Sequence, residues 1–310
     1  MLSLRPMIAA TPVYRGRFAP SPTGPLHFGS LVAAAGSFME ARTKGGEWLL
    51  RIEDVDAPRC SRTAADEILR TLEACGFAWD GEVVWQSRRS DVYAAALERL
   101  KIHGRVFACA CTRKELADSA IAPDGAAIYP GTCRQGLPAG RQARAWRLRV
   151  GDARVGFDDA IQGRIASEIA LDAGDFILLR ADGLFAYQLA VVVDDADAGI
   201  THVVRGADLL ASTPRQIFLQ QCLGLPTPCY AHLPVAVNAA GEKLSKQTRA
   251  VPVDAARPGP ALFAALAFLG QRPPPELSDA SPNELWAWAM SHWRIDRVPR
   301  GPACPAAAVG

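Results

Sequence analysis

Lysine is scarce in this chain of 310 residues. Of 34 Lys and Arg residues only five are lysines, Lys44, Lys101, Lys114, Lys243 and Lys246. A net charge of +2 excludes a strongly basic nucleic-acid coat but leaves room for an RNA-binding enzyme with a local basic face. Long apolar runs are missing too: none approaches the roughly 20 residues of a membrane span. Met1 to Val13, interrupted by Arg5, Pro6 and Pro12, does not read as a signal peptide. No internal repeat is visible. These absences predict a cytoplasmic chain with no membrane partner, in which the eight cysteines serve as thiols or metal ligands rather than disulfides. What is present is an apolar fraction of 49%, enough for one large domain with insertions or for two to three smaller ones.

Two of the five lysines fall within four residues of each other, in Glu242-Lys-Leu-Ser-Lys246. A chain that otherwise prefers arginine asks there for compact ammonium groups. The matching stretch lies near the other end, Arg17-Phe-Ala-Pro-Ser-Pro-Thr-Gly-Pro-Leu-His-Phe-Gly-Ser30. It reads as a strand from Val13 to Ala19, a proline-stiffened loop and a helix start. Helices are expected over Leu26–Ala41, from Thr63 (with Asp66 as a capping box) to Cys75, and over Asp91–His103. Glu47–Ile52 reads as a buried strand with Glu53 and Asp54 just beyond it. This alternation predicts an α/β fold with a Rossmann-type parallel sheet, whose ligands sit beyond the carboxyl ends of the strands. From Cys109 to Arg180 the chain reads as a loop-rich insertion. Strand signals return at Phe176–Leu179, Tyr187–Val193 and Ile200–Arg205, followed by a helix with Thr213 as N-cap and Gly224 as stop. Two more helices, Pro260–Leu269 and Asn283–Trp293, precede a Pro/Ala/Gly tail from Arg297 that reads as disordered.

The chemistry follows from residue types. His27 and Gly29 sit at a helix start, where unpaired N–H groups and the dipole favour an anion. Lys243 and Lys246 can neutralise a triphosphate and a departing pyrophosphate. Alone, each motif is weak: a helix-start histidine with no role and a solvated charged loop are ordinary alternatives. Cys109-x-Cys111 with Tyr129-x-x-x-Cys133 offers three thiols and a phenol, on spacing alone as compatible with three unrelated buried thiols as with zinc.

Taken together, the two signatures resemble the HIGH and KMSKS motifs of class I aminoacyl-tRNA synthetases. Arg17 to Gly24, Arg51-Ile-Glu-Asp54, Gly199-Ile-Thr-His-Val-Val-Arg-Gly206 and Asp208 to Gln216 resemble the glutamyl/glutaminyl branch, over roughly residues 14–250. About 64 residues follow the second signature, fewer than an anticodon-binding module of typical domain size needs. The resemblance therefore narrows to the truncated branch, the glutamyl-Q tRNA(Asp) synthetase family, which shares the Cys-x-Cys…Tyr-x-x-x-Cys pattern.

That resemblance implies ATP-dependent, tRNA-independent activation of L-glutamate and its transfer to queuosine at the wobble position of tRNA(Asp). The alternatives are a shortened glutamyl-tRNA synthetase charging the 3′ end, or a non-catalytic tRNA-binding paralogue. The resemblance assigns His27, Gly29, Lys243 and Lys246 to catalysis, with His27, Gly29 and Lys246 on ATP. It assigns Arg17, Phe18, Ala19, Pro20, Ser21, Glu53, Tyr187 and Arg205 to glutamate. Cys109, Cys111, Tyr129 and Cys133 would hold one structural Zn²⁺, and Mg²⁺ would accompany ATP. Arg17 and Arg205 are the cationic candidates and Glu53 faces the ammonium; Asp194, Asp195 and Asp208 stay open between structural and nucleotide-lining roles. The expected layout is a catalytic domain in two halves, 13–105 and 181–225, a zinc-bearing insertion at 106–180, a second-signature loop with helical region at 226–296, and a tail at 297–310, in a monomer.

Overall fold

The computed structural model describes residues 13–117, 119–122, 125, 127–238, 241, 243 and 251–305. In chain order the first half runs β1 (Arg15–Phe18), α1 (Phe28–Thr43), β2 (Glu47–Ile52), α2 (Arg62–Ala74), β3 (Val84–Trp85) and α3 (Ser90–Ile102). There follow β4 (Val106–Cys109), β5 (Ala145–Leu148), β6 (Arg154–Asp159), β7 (Gly163–Glu168), α4 (Ile169–Asp172) and β8 (Ile177–Leu179). The second half holds α5 (Tyr187–Asp197), β9 (His202–Gly206), α6 (Thr213–Leu223), β10 (Cys229–Leu233) and β11 (Val235–Val237). The chain closes with α7 (Pro258–Phe268), α8 (Pro282–His292) and β12 (Ala303–Pro305).

β1, β2 and β3 pair in parallel, and so do β9 and β10. The two sets meet where the Thr201 N–H donates to the Arg15 carbonyl at 3.0 Å and the Arg15 N–H to Thr201 Oγ1 at 2.8 Å. Across this layer the order is β3-β2-β1-β9-β10-β6-β7. The chain leaves β1 to one side and returns on the other, so β1 and β9 flank the switch point where α/β sheets bind ligands. α1 packs across this seam. A Cβ on Gly36 would fall 2.6 Å from a Leu233 methyl, so any larger residue there would have to displace the Leu233 side chain.

α7 and α8 share the core of the first half with α1 and α2. The Trp286 Nε1–H donates to the Cys75 carbonyl at 2.8 Å and the Trp293 Nε1–H to Glu40 at 2.6 Å.

The structure differs from the sequence expectations at five places. Tyr187–Val193 is helix, not strand: α5 buries Leu189 to Asp195 on every side, so its apolar residues carry no helical period. α2 is capped by Ser61, which accepts from the Ala64 N–H, rather than by Thr63 and Asp66. Thr213 is the first helical residue of α6, and its hydroxyl is drawn into a buried network instead of capping. The stretch from Arg297 to Pro305 is ordered against the body. Val298 is buried, β12 pairs with β11, and Gly301 exchanges hydrogen bonds with Gln162.

The segment read as loop-rich holds two sheets. β4, β5 and β8 form an antiparallel sheet beside the cysteine cluster. The β6–β7 hairpin joins the central layer through β10, where Asp159, the last residue of β6, pairs with Tyr230.

Candidate active site

At the carboxyl ends of β1, β2 and β9 lies a cavity of about 460 Å³. Arg17, Phe18, Ala19, Pro20 and Ser21 line it from β1 and the loop beyond, Glu53 from β2, Tyr187 from α5 and Arg205 from β9. His27 and Gly29 line it from the start of α1, and Lys243 from the far side. Lys246 lies outside the described residues. The sequence-predicted residues that the structure describes for glutamate and nucleotide thus converge on one cavity, although up to 226 positions separate them along the chain (Arg17 to Lys243).

The loop after β1 is fixed from below. The Glu53 N–H donates to the Pro20 carbonyl at 3.0 Å and the Ser61 N–H to the Pro22 carbonyl at 2.9 Å. His27 is the N-cap of the 16-residue helix α1, its Nδ1 accepting from the Ser30 N–H at 3.3 Å. That acceptor role leaves the proton on Nε2, which meets Ser30 Oγ at 3.0 Å. Across the mouth, the Val253 N–H donates to the Leu26 carbonyl, which seats the chain after the second signature against the first. Lys243 Nζ pairs with Asp208 Oδ2 at 2.6 Å near the surface.

Charge is arranged unevenly around the cavity. Arg17 and Arg51 are both buried and both bind Asp195, Arg17 through Nε at 3.2 Å and Arg51 through Nη1 at 2.6 Å. Arg51 also donates to Glu53 Oε1 at 3.0 Å. Burial opposes the Asp195 charge, but the two guanidiniums outweigh it and hold its pKa at about 2. Glu53 goes the other way: burial lifts its pKa more than Arg51 lowers it. Asp194 accepts from Gln86, Arg89 and Tyr93 at 2.6–2.9 Å, ties α5 to α3, and lies 3.7 Å from Arg51 Nε. The three acidic residues left open by the sequence therefore separate: Asp194 is structural, Asp195 braces Arg17 and Arg51, and Asp208 lines the cavity beside Lys243.

Arg205 is equally buried, yet no carboxylate binds it among the described residues. Its Nη2 donates to Thr213 Oγ1 and Gln216 Oε1, each at 2.8 Å, its Nη1 to the Tyr187 hydroxyl at 3.4 Å, and its Nε to His232 Nε2 at 3.1 Å. His232 sits opposite Arg205 in the β9–β10 register and is fully buried. Its Nδ1–H donates to Asp159 Oδ2 at 2.6 Å. Burial pushes the imidazole pKa from 6.5 down to about 4 despite Asp159, so His232 is neutral and accepts from Arg205. His232, Asp159, Thr213, Gln216 and Arg51 were not singled out as site residues in the sequence. Their signal is buried polarity in apolar surroundings, visible only after folding.

Beside β4, the Sγ atoms of Cys109, Cys111 and Cys133 lie within 4.8 Å of one another. Cys111 and Cys133 are 3.7 Å apart, and the Tyr129 hydroxyl is 3.5 Å from both Cys109 and Cys111. A tetrahedron with metal–sulfur bonds of about 2.3 Å has S···S edges of about 3.8 Å, and a phenolate oxygen at about 2 Å gives S···O edges of about 3.5 Å. The Cys111–Cys133 edge and the two edges from Tyr129 to Cys109 and Cys111 match that shape. Arg147 lies over the Tyr129 ring at 4.0 Å. Burial disfavours the Cys109 thiolate, but Tyr129 and Arg147 outweigh it and lower its pKa. Of the other cysteines, Cys75 is buried, Cys60, Cys222 and Cys304 are half-buried and Cys229 is exposed; none is disulfide-bonded.

A parallel sheet with its cavity at the switch point, bounded by both signatures, is the architecture of a class I synthetase catalytic domain. The family description "tRNA synthetases class I (E and Q), catalytic domain" matches residues 14–259. Among solved structures, the chain is similar to glutamate-tRNA synthetase from Elizabethkingia anophelis, with a TM-score of 0.78 and 25% identity over 96% of this chain and 68% of that one. Among curated proteins, the glutamyl-Q tRNA(Asp) synthetase of Aromatoleum aromaticum is 64% identical over 94% of this chain and 92% of its own length. That of Dechloromonas aromatica is 65% identical over 93% and 96%. The chain is a ligase of the aminoacyl-tRNA synthetase type, from the glutamyl and glutaminyl group of class I. Within that group it belongs to the glutamyl-Q tRNA(Asp) synthetase family. No described helix is long and apolar enough to cross a membrane.

Proposed function

We propose that the enzyme activates L-glutamate with ATP, without needing tRNA, and transfers it to the queuosine base of tRNA(Asp) in the cytoplasm. The observation that carries the amino-acid assignment is Arg205, a buried guanidinium with no carboxylate bound to it among the described residues, facing the same cavity as Glu53. Glutamate supplies the complement: its side-chain carboxylate meets Arg205 and its ammonium meets Glu53. A buried cation without a counterion is costly, and a ligand carboxylate relieves that cost. Arg17, Tyr187 and the Phe18–Ser21 loop close around the rest of the amino acid.

In the first step a glutamate α-carboxylate oxygen bonds to the α-phosphorus of ATP. The bond to the bridging oxygen of pyrophosphate breaks and pyrophosphate leaves. His27, Gly29 and the α1 dipole hold the phosphates on one side and Lys243 on the other, and the resemblance to the second signature adds Lys246, which lies outside the described residues, to the same task. Asp208, which lines the cavity near the surface, would be the residue to hold Mg²⁺, and the ion would supply charge neutralisation on the triphosphate. In the second step a hydroxyl oxygen of the queuosine cyclopentene ring attacks the acyl carbon. AMP departs and the hydroxyl proton passes to solvent. No side-chain nucleophile is needed, and the rate comes from positioning. We assign Cys109, Cys111, Cys133 and Tyr129 to one structural Zn²⁺, on the tetrahedral spacing of their ligand atoms.

The modified-base assignment rests on the names of relatives 64–65% identical over nearly their whole length. Labelled glutamate and ATP incubated with queuosine-containing and queuosine-lacking tRNA(Asp) test it. Label is expected on the first alone, and equal labelling of both overturns it. Glutamate-dependent ATP–pyrophosphate exchange in the absence of tRNA is expected as well; a strict tRNA requirement favours charging of a 3′ end instead.

A further inference from the structure

Arg205 alone does not explain why glutamate would be chosen over glutamine. A guanidinium can donate to an amide oxygen as well as to a carboxylate. What separates the two ligands is whether the guanidinium still carries an unneutralised charge when the ligand arrives. Arg17, on the same cavity wall, has lost that property to Asp195. Arg205 keeps it, because its four hydrogen-bond partners among the described residues are His232, Thr213, Gln216 and Tyr187. All are uncharged acceptors, and together they satisfy Nε and Nη2 without supplying a negative charge.

Two of these groups are ambiguous in chemistry, and the fold fixes both. An imidazole can be acceptor or cation. Asp159 takes the Nδ1 proton at 2.6 Å and so dedicates Nε2 to accepting. The Asp159 charge is itself consumed by His232 and by the N–H groups of Ile161, Gln162 and His232 at 2.9–3.1 Å. Gln216 carries an amide where an isosteric carboxylate would fit, and its Nε2–H donates onward to Gln188 Oε1 at 2.9 Å, which orients the oxygen toward Arg205.

We propose that this neutral acceptor shell, with Gln216 and the Asp159-locked His232 as positioning residues, sets the discrimination of carboxylate from amide side chains. The proposal rests on the reading of the cavity as a glutamate site. The shell satisfies the arginine enough to hold it in place, while leaving its charge for the ligand. A carboxylate inside the shell would turn Arg205 into a second Arg17.

The test is ATP–pyrophosphate exchange with glutamate and with glutamine, tRNA present in both arms, on the full chain and on two variants. The readout is the ratio of kcat/KM for the two amino acids, which cancels any loss of folded enzyme. Gln216→Glu adds a carboxylate of the same shape; its ratio is expected to fall at least tenfold, mainly through a higher glutamate KM. His232→Gln keeps an amide oxygen for the Arg205 Nε–H; its ratio is expected to stay within threefold. A Gln216→Glu ratio that falls less than tenfold overturns the proposal. So does a His232→Gln ratio that falls as far as that of Gln216→Glu, since disruption rather than charge would then be the cause. Wild-type enzyme that activates no glutamate would overturn the reading of the cavity itself, which is a separate outcome.

Discussion

Arg17 and Arg205 project into one cavity from strands on either side of the switch point, are equally buried, and are treated in opposite ways. Arg17 shares Asp195 with Arg51 in an ion cluster that includes Glu53. Arg205 is held by neutral oxygens and one neutral imidazole. The paired cation gives up electrostatic reach in exchange for rigidity and shapes the site. The unpaired cation keeps its reach and is available to select a ligand. Residue type and burial are the same at both positions, so only the partners distinguish the roles.

The sharpest way to break this contrast is to remove the charge that selects. Arg205→Met is expected to lower kcat/KM for glutamate activation by about 10²–10³-fold, the equivalent of a buried charge pair worth about 3–4 kcal/mol. Its folding stability should fall less than that of Asp195→Asn, because removing a cation without a counterion offsets the hydrogen bonds lost with it; a steady-state assay beside a urea melt checks both.

Asp195→Asn should do the reverse. It leaves two buried guanidiniums without their shared counterion, so stability is expected to fall by about 3 kcal/mol, read as a lower urea midpoint at unchanged slope. Discrimination of glutamate from glutamine should persist in the fraction that remains folded.

Acid offers a third comparison. The His232 pKa is lowered on folding, from 6.5 to about 4, so the unfolded chain binds the proton more readily between those values. Its contribution is present above pH 6.5 and is lost as the pH falls through 4, a change of about 3 kcal/mol. His232→Gln should remove that window, and the difference between the two pH–stability curves isolates it from other titrating groups.

The smallest stability effect is expected at the surface. Asp208→Asn breaks the exposed pair with Lys243 and should cost no more than about 1 kcal/mol. A larger loss in thermal melts would show that the second signature is anchored more firmly than its exposure suggests.

The two signatures, the zinc-type cysteine spacing and most helix boundaries are legible in the sequence, since each is local. Glycine stops, caps and a 3.6-residue period need only neighbours along the chain. α5 escaped that logic: Leu189–Val193 is apolar on all faces, so a helix buried on every side looks like a buried strand. The bracing of the site escaped it for a different reason. Asp195 lies 178 positions from Arg17, and Asp159 lies 73 from His232. Isolated aspartates and histidines carry no pattern that foretells such partners.

The sequence by itself determined, through the resemblance of its two signatures, that this chain carries a class I synthetase catalytic domain, because each signature is a short run that needs no tertiary contact to be recognised. The tertiary structure alone decided which buried arginine would be neutralised and which would keep its charge. That choice depends on which side chains neighbouring strands and helices bring within about 3 Å, and in a low-dielectric interior the presence or absence of one carboxylate at that distance outweighs the identity of the arginine itself.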